Sequence, residues 1–264
     1  MQITNQDKLL ELSDNEFKGT LPKLTNSQIN FNGKNNLLVC EEDVSLVNSR
    51  IDFNLDNSIL YLSANNHNYC VNISINNNNA CYIGKHNYFN GRLTIVLSES
   101  KNVVIGGGCI FSYNVVIRVG DGHVIYNSKS KKRINYSKSI FIGDHVWIGQ
   151  NSMIFKGSQI GSGSIVGANS VVSNKTISSN TTYAGSPAKL IHKNTFWTGH
   201  STHEWNADDI EKMSEYDSDN FIFSRDTNTV DFREVDEKFN TSLPEDILDY
   251  IKSNFLTGKN RFYL

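Results

Sequence analysis

Aliphatic side chains return every six residues through the middle of this chain, at Ile142, Ile148, Ile154, Ile160, Val166 and Val172. The segments read Ile-Gly-Asp-His-Val-Trp, Ile-Gly-Gln-Asn-Ser-Met, Ile-Phe-Lys-Gly-Ser-Gln, Ile-Gly-Ser-Gly-Ser-Ile and Val-Gly-Ala-Asn-Ser-Val. The same spacing recurs upstream at Ile83, Phe89 and Ile95, and again at Ile105, Phe111 and Ile117. A period of six is neither the helical 3.6 nor the strand 2. It fits a coil of three short parallel strands per turn, each giving one inward aliphatic that stacks on its counterpart in the next turn. Gly143, Gly149, Gly161, Gly163, Gly167 and Asn169 stand where such a coil needs corners with positive φ. Stretches this rich in Gly, Asn and β-branched residues would not hold a helical repeat.

The register breaks between Ile117 and Ile142, a gap that six does not divide. Residues 118–139 must therefore leave the coil as a loop, and a long loop within a strict repeat is where function is expected. Residues 26–80 are Asn-rich but carry interleaved aliphatics (Leu37 to Val39, Ile51 and Phe53, Ile59 to Leu62, Val71 to Ile75), which predicts degenerate turns of the same solenoid. Low-complexity disorder is the competing reading for Asn76 to Asn79 alone. Residues 1–25 carry a short helix signal around Asp7–Leu12 and no functional one. After Pro187 the repeat stops. One helical face is predicted over 207–216 (Ile210, Met213, Tyr216) and another over 244–255 (Ile247, Leu248, Ile251, Phe255), with Ser242 and Glu245 spaced as a capping box and Gly258 just beyond. The expected organisation is an N-terminal segment 1–25, an all-β parallel solenoid 26–193 with the loop 118–139 extruded, and a mainly helical extension 194–264.

A formal charge of -2 gives no basic excess to suggest a nucleic-acid partner. No run approaches the roughly 18–20 apolar residues of a membrane helix. The first residues lack the basic-then-apolar pattern of a secretory leader, so a cytoplasmic protein is expected. Cys40, Cys70, Cys81 and Cys109 are irregularly spaced, and three sit in apolar, strand-like runs. They read as small buried hydrophobes in a reducing compartment. His200 and His203 form a His-x-x-His with no carboxylate or cysteine at ligand spacing, so no metal is expected.

Three segments taken in order carry a resemblance: Ile140-Phe-Ile-Gly-Asp-His-Val-Trp-Ile-Gly-Gln-Asn, Val166-Gly-Ala-Asn-Ser-Val-Val and Tyr183-Ala-Gly-Ser-Pro-Ala-Lys189. The chain resembles the hexapeptide-repeat acetyltransferases, and within them the maltose/galactoside-type and capsular polysaccharide (sialic acid) O-acetyltransferases. The resemblance is strong over about 83–197, weaker over 26–82 and absent in the tail. It implies a left-handed parallel β-helix, a cytoplasmic homotrimer acting near a membrane-bound polysaccharide assembly complex, and acetyl-CoA lying in the groove between adjacent solenoids. It matches His123 to the catalytic histidine, although many relatives follow that histidine with Pro and this chain has Val124. By the same resemblance Trp147 faces the active site, packing on acceptor or pantetheine. Asn90 matches an acceptor-binding asparagine. Ala168, Gln150, Ser173 and Asn174 match pantetheine contacts. Lys189 matches a phosphate contact, with Lys175 and Lys193 as helpers and His192 where some relatives have a second basic residue.

The residues themselves agree with that chemistry. A sugar hydroxyl is a poor nucleophile with a high pKa, and a neutral imidazole in reach could take its proton. Asp121, two residues before His123, could orient the ring. Lys129, Lys131, Lys132, Arg133 and Lys138 share the loop, and Lys131 and Arg133 are candidates for attracting an anionic glycan. The expected reaction is O-acetylation of a sugar or capsular polysaccharide by direct transfer, a backbone N–H stabilising the oxyanion. N-acetylation of an amino sugar and a non-catalytic assembly solenoid are the alternatives.

Overall fold

The computed structural model describes Met1–Leu264. The chain winds as a left-handed parallel β-helix of about seven turns. Each turn crosses three flat faces. The first face runs from Gln28–Phe31 through Arg50–Phe53, Val71–Ile75, Leu93–Val96, Val116–Arg118 and Met153–Phe155 to Val171–Val172. The second runs from Glu16–Gly19 through Leu37–Cys40, Ile59–Leu62, Ala80–Ile83, Val103–Ile105, Ile140–Ile142 and Gln159–Ile160 to Thr176–Ile177. The third begins as Lys23–Thr25 and Ser45–Val47, and continues from Tyr88–Phe89 through Ile110–Phe111, Trp147–Ile148 and Ile165–Val166 to Thr181–Ala184. The coil therefore takes in Glu16–Gly19 and Lys23–Thr25, and starts earlier than the expected boundary at 26.

Every inward aliphatic of the repeat meets its equivalent one turn on. Ile142 faces Ile160, Ile148 faces Val166 and Ile154 faces Val172, all fully buried. Turn length changes along the axis. Early turns advance 22 residues, as from Asn36 to Ser58, while the late ones advance 18, as from Asp144 to Ser162. The extra residues lie at the corner between the first and second faces, around Asn35, Asn57 and Asn78, all with positive φ. Of the 17 non-Gly residues with positive φ, 11 are Asn, which tolerates that region better than most side chains. The asparagines are thus corner residues. Asn76 to Asn79 form an ordered corner, where the Asn76 backbone N–H donates to Asn79 Oδ1 at 2.8 Å and Asn76 Nδ2 donates to Leu97 O at 2.6 Å.

Both ends of the stack are closed. Gln2–Ile3 pairs antiparallel with the first-face edge, and a 3-10 turn over Gln6–Glu11 buries Leu9 in the core. At the other end Lys189–Lys193 folds back antiparallel on Thr181–Ala184. These devices blunt the exposed sheet edges that invite aggregation. All four cysteines are free; Cys40, Cys81 and Cys109 are buried, and Cys70 is half-buried.

The extension is helical in three places: α1 (Ala207–Lys212), α2 (Phe232–Thr241) and α3 (Pro244–Asn254). The expected helix 207–216 is only α1, capped by Asn206 and ended at Met213. The Ser242 capping box does not form, because the residue preceding the helix is Leu243 and Pro244 opens α3 without a side-chain cap. Helix α2 was not anticipated. Its Phe232, Val235 and Phe239, together with Ile247, Leu248 and Ile251 of α3, cover the outer side of the second face over Val39, Tyr61, Tyr82 and Phe141. Phe141 and Phe232 stack with centroids 4.6 Å apart and planes 12° apart.

The tail is also tied to the corner between the second and third faces. Arg261 donates to Asp144 from Nε at 3.1 Å and from Nη2 at 2.7 Å, and both side chains are mostly buried. His145, at φ 54°, is sandwiched between Trp197 (3.9 Å, 3°) and Phe221 (4.1 Å, 9°). Trp197 Nε1 donates to His145 O at 3.0 Å, and His145 Nε2 lies 2.8 Å from Trp197 O, which makes Nε2 the protonated ring nitrogen. Two coils on, Asn180 Nδ2 donates to Phe221 O at 2.7 Å.

Candidate active site

The register break at 118–139 is a protruding arm that leaves the corner between the first and second faces, where the earlier turns carry their Asn bulges. It departs after Arg118, and the coil resumes at Ile140, so that Ile117 still pairs with Ile154. The tip is a small hairpin. Tyr126 pairs antiparallel with Arg133, Ile134 N–H donates to Ile125 O at 3.0 Å, and Asn127 Oδ1 accepts from the N–H groups of Lys129 and Ser130. Asn135 locks the root. Its Oδ1 accepts from Ile125 N–H at 2.8 Å, and its Nδ2 donates to His123 O at 2.7 Å and to Asp121 Oδ2 at 2.9 Å. Asn135 is buried, although residues 121–132 of the arm are all exposed. In a chain this rich in asparagine, no sequence signal sets it apart.

His123 sits on this arm with its backbone held by Asn135 and its side chain exposed. Asp121 does not orient the imidazole. Its carboxylate takes Lys156 Nζ at 2.5 Å and Asn135 Nδ2, and these partners hold its pKa below the usual carboxylate range. Arg133 is likewise turned toward the coil. It pairs with Glu99 at 2.6 Å and lies 4.8 Å over the Tyr136 ring, so it serves as an anchor of the arm and not as a free cation for a glycan. Lys131 stays exposed at the hairpin tip with φ 56°.

The remaining candidates fall on two different corners. Ser173, Asn174 and Lys175 share the arm's corner; Lys138 Nζ donates to Asn174 Oδ1 at 2.7 Å, and Lys175 Nζ lies 5.8 Å over the Tyr183 ring. Asn90, Gln150 and Ala168 line the corner between the third and first faces, all exposed. There Asn114, Asn151 and Asn169 form a side-chain ladder with 3.1 Å bonds. Ala168 leaves the backbone open. Packing beneath it is tight, since a Cβ on Gly149 would lie 2.5 Å from Ala168 N. Trp147 stands on the outer side of the third face between Ile110 and Ile165, 40% exposed, its Nε1 3.3 Å from Ser112 Oγ. Lys189, His192 and Lys193 are exposed on the closing strand of the same face. Within one chain, His123 and Trp147 therefore belong to opposite sides of the first face.

Reasoning from the sequence missed Arg118 and Lys156. With Gly120, Asp121, Gly122, Phe155 and Ser173 they line a cleft of about 270 Å³ at the root of the arm. Arg118 directly follows the inward Ile117 and so reads as an ordinary outward strand residue; only the fold joins it to Lys156 and Ser173.

The triangular parallel coil is the scaffold of the left-handed β-helix acetyltransferases, and the family description "Bacterial transferase hexapeptide (six repeats)" matches residues 139–174. The crystal structure of the polysialic-acid-specific acetyltransferase NeuO superposes with a TM-score of 0.65 at 34% identity, covering 76% of this chain and 92% of that one. The polysialic acid O-acetyltransferase OatWY gives a TM-score of 0.51 at 25% identity, covering 76% of this chain and 99% of that one. In sequence, the polysialic acid O-acetyltransferase of Escherichia coli O1:K1 / APEC is 40% identical over 121 residues, which is 46% of this chain and 39% of that protein. The enzyme of the same name from Neisseria meningitidis is 31% identical over 135 residues, 50% of this chain and 62% of that protein. The alignments thus span less than two thirds of the length of these curated relatives. The chain belongs to the hexapeptide-repeat acetyltransferase family.

Proposed function

We propose that this protein transfers an acetyl group from acetyl-CoA to a hydroxyl of a capsular polysaccharide, with an acidic, sialic-acid-type polymer as the acceptor class. The observation that carries this reading is the likeness to NeuO across 92% of that chain, combined with an imidazole on the arm where the repeat is interrupted.

In the proposed step His123 accepts the proton of the attacking hydroxyl as its oxygen bonds to the thioester carbonyl carbon. The C–S bond then breaks, and the proton passes from the imidazolium to the departing CoA thiolate. A backbone N–H donor stabilises the oxyanion between these events. Ala168 and Gln150 on one corner, and Ser173, Asn174 and Lys175 on another, are the proposed contacts for the pantetheine arm. Lys189 and Lys193 are the proposed phosphate contacts, and Trp147 and Asn90 the acceptor wall. Because these corners lie across the width of a face, one cofactor-length groove built from all of them needs two copies of the chain side by side. This supports sites between protomers, as in the homotrimer that the family resemblance implies.

The test is His123→Ala. Acetyl transfer to polysialic acid should fall at least 100-fold, the order expected for a lost general base, while the Kd for CoA measured calorimetrically stays within twofold. Retained turnover overturns the assignment of His123. Mild alkali treatment of the wild-type product separates ester from amide: release of acetate supports O-transfer, and a stable product supports N-transfer instead.

A further inference from the structure

Among the cations around the arm, two are engaged by acids: Arg133 by Glu99, and Lys156 by Asp121. Arg118 is not. No carboxylate lies within 4 Å of it, and its only hydrogen bond runs from Nε to Gly120 O at 2.9 Å. That bond fixes the guanidinium plane against the arm's first residues and leaves both terminal nitrogens without an acceptor. The stem lies between Val96 and Phe155 on the outer side of the first face, an apolar bed that limits its swing. Gly122 keeps the space beside the head open, because a Cβ there would come 3.3 Å from Arg118 Nη2. The half-buried guanidinium then faces a cleft of about 270 Å³ shared with Phe155, Ser173 and Lys156, and with Asp121, whose carboxylate is bonded to Lys156. The next residue along the arm after Gly122 is His123.

A guanidinium held at Nε and free at its fork is preorganised for a planar, two-oxygen anion. The volume is below the roughly 300–1,000 Å³ of pockets that enclose drug-sized ligands, so it accepts one charged substituent or one sugar unit and not a run of polymer. The geometry points to Arg118 as a specificity-determining residue that takes the carboxylate of an acidic sugar and so sets which hydroxyl of that sugar reaches His123. This inference rests on the acetyl-transfer reading above. Lys156, neutralised by Asp121, adds little net charge and works mainly to hold the cleft's far wall.

Two measurements test it. First, binding of a sialic acid oligomer and of its carboxyl-reduced form is measured without acetyl-CoA, where nothing turns over. Wild-type protein should prefer the acidic oligomer, and Arg118→Ala should weaken that binding at least tenfold and abolish the preference. Arg118→Lys, which keeps the charge and loses the fork, should recover less than half of the preference on a logarithmic scale. Second, steady-state kinetics should show the loss as a raised KM for the acidic polymer with KM for acetyl-CoA unchanged. An equal loss on the reduced oligomer, a raised KM for acetyl-CoA (a phosphate contact instead), or full rescue by Lys overturns the assignment. Absence of transfer by wild-type protein to any acceptor would instead refute the enzymatic reading, and the binding arm would still decide the role of Arg118.

Discussion

At the scale of single residues, corner positions of a coil can be occupied by any side chain that tolerates positive φ, and this chain usually chooses Asn. His145 is an exception whose cost is offset by two stacked aromatic rings and a reciprocal pair of hydrogen bonds with Trp197. Burial lowers its pKa below the ordinary histidine value, so the folded protein holds it neutral. In the unfolded chain it protonates near about 6.5. Below that pH the unfolded state binds the extra proton, and stability falls as the pH drops toward the lowered folded value; above it the full stability is present. His145→Asn, which suits the backbone but cannot titrate, should flatten this dependence between about pH 7 and pH 5.5. Urea midpoints across that range check the prediction, and parallel profiles for the two proteins would contradict it. The arm shows the same dependence on context. His123 was legible as an imidazole on an extruded loop, whereas Asn135 and Arg118 take their meaning from partners that only folding supplies: the His123 carbonyl for one and the Gly120 carbonyl for the other.

At the scale of elements, the six-residue period exposed nearly every inward position from Ile83 onward, because a stacked core tolerates only aliphatic or aromatic side chains there. The upstream turns were harder to read, since the steps around the third face also depart from six there: Tyr69 follows Leu62 by seven residues and precedes Ile73 by four. Helix α2 escaped although Phe232, Val235 and Phe239 have helical spacing and Asp231 caps the start, its side chain accepting from Arg233 N–H. The charged residues between those three make the stretch look like solvated loop. Two variants probe how the tail is held. Arg261→Ala leaves Asp144 a mostly buried, unpaired carboxylate and should cost about 3–5 kcal/mol. Phe232→Ala removes the ring stacked on Phe141 and should cost about 3–5 kcal/mol. Both are read as shifts in denaturant midpoint, and a change under about 1 kcal/mol in either would mean the tail sits looser on the second face than its burial implies. Asp236 of α2 accepts from Ser139 Oγ and from Asn102 Nδ2, so the helix also touches the point where the arm rejoins the coil.

At the scale of the whole molecule, the second face is covered by the chain's own helices, which leaves the first and third faces free to meet other copies. If each site draws His123 from one protomer and Ala168 from its neighbour, two inactive variants should complement each other. His123→Ala and Ala168→Trp, inactive alone, should regain measurable transfer when co-expressed and co-purified, because some mixed interfaces then carry both intact halves. No recovery in proven hetero-oligomers would place each site within one chain. No helix here is long and apolar enough to cross a membrane. Since strands in a parallel sheet repeat about every 4.8 Å, an arm issuing from a given corner can be relocated only by whole coils. The distance between the His123 imidazole and the closing lysine strand is thus set by an integer, the number of tight turns wound after the arm. Adding or deleting one 18-residue turn would lengthen or shorten the span between them by one fixed step, like moving a stop along a ratchet.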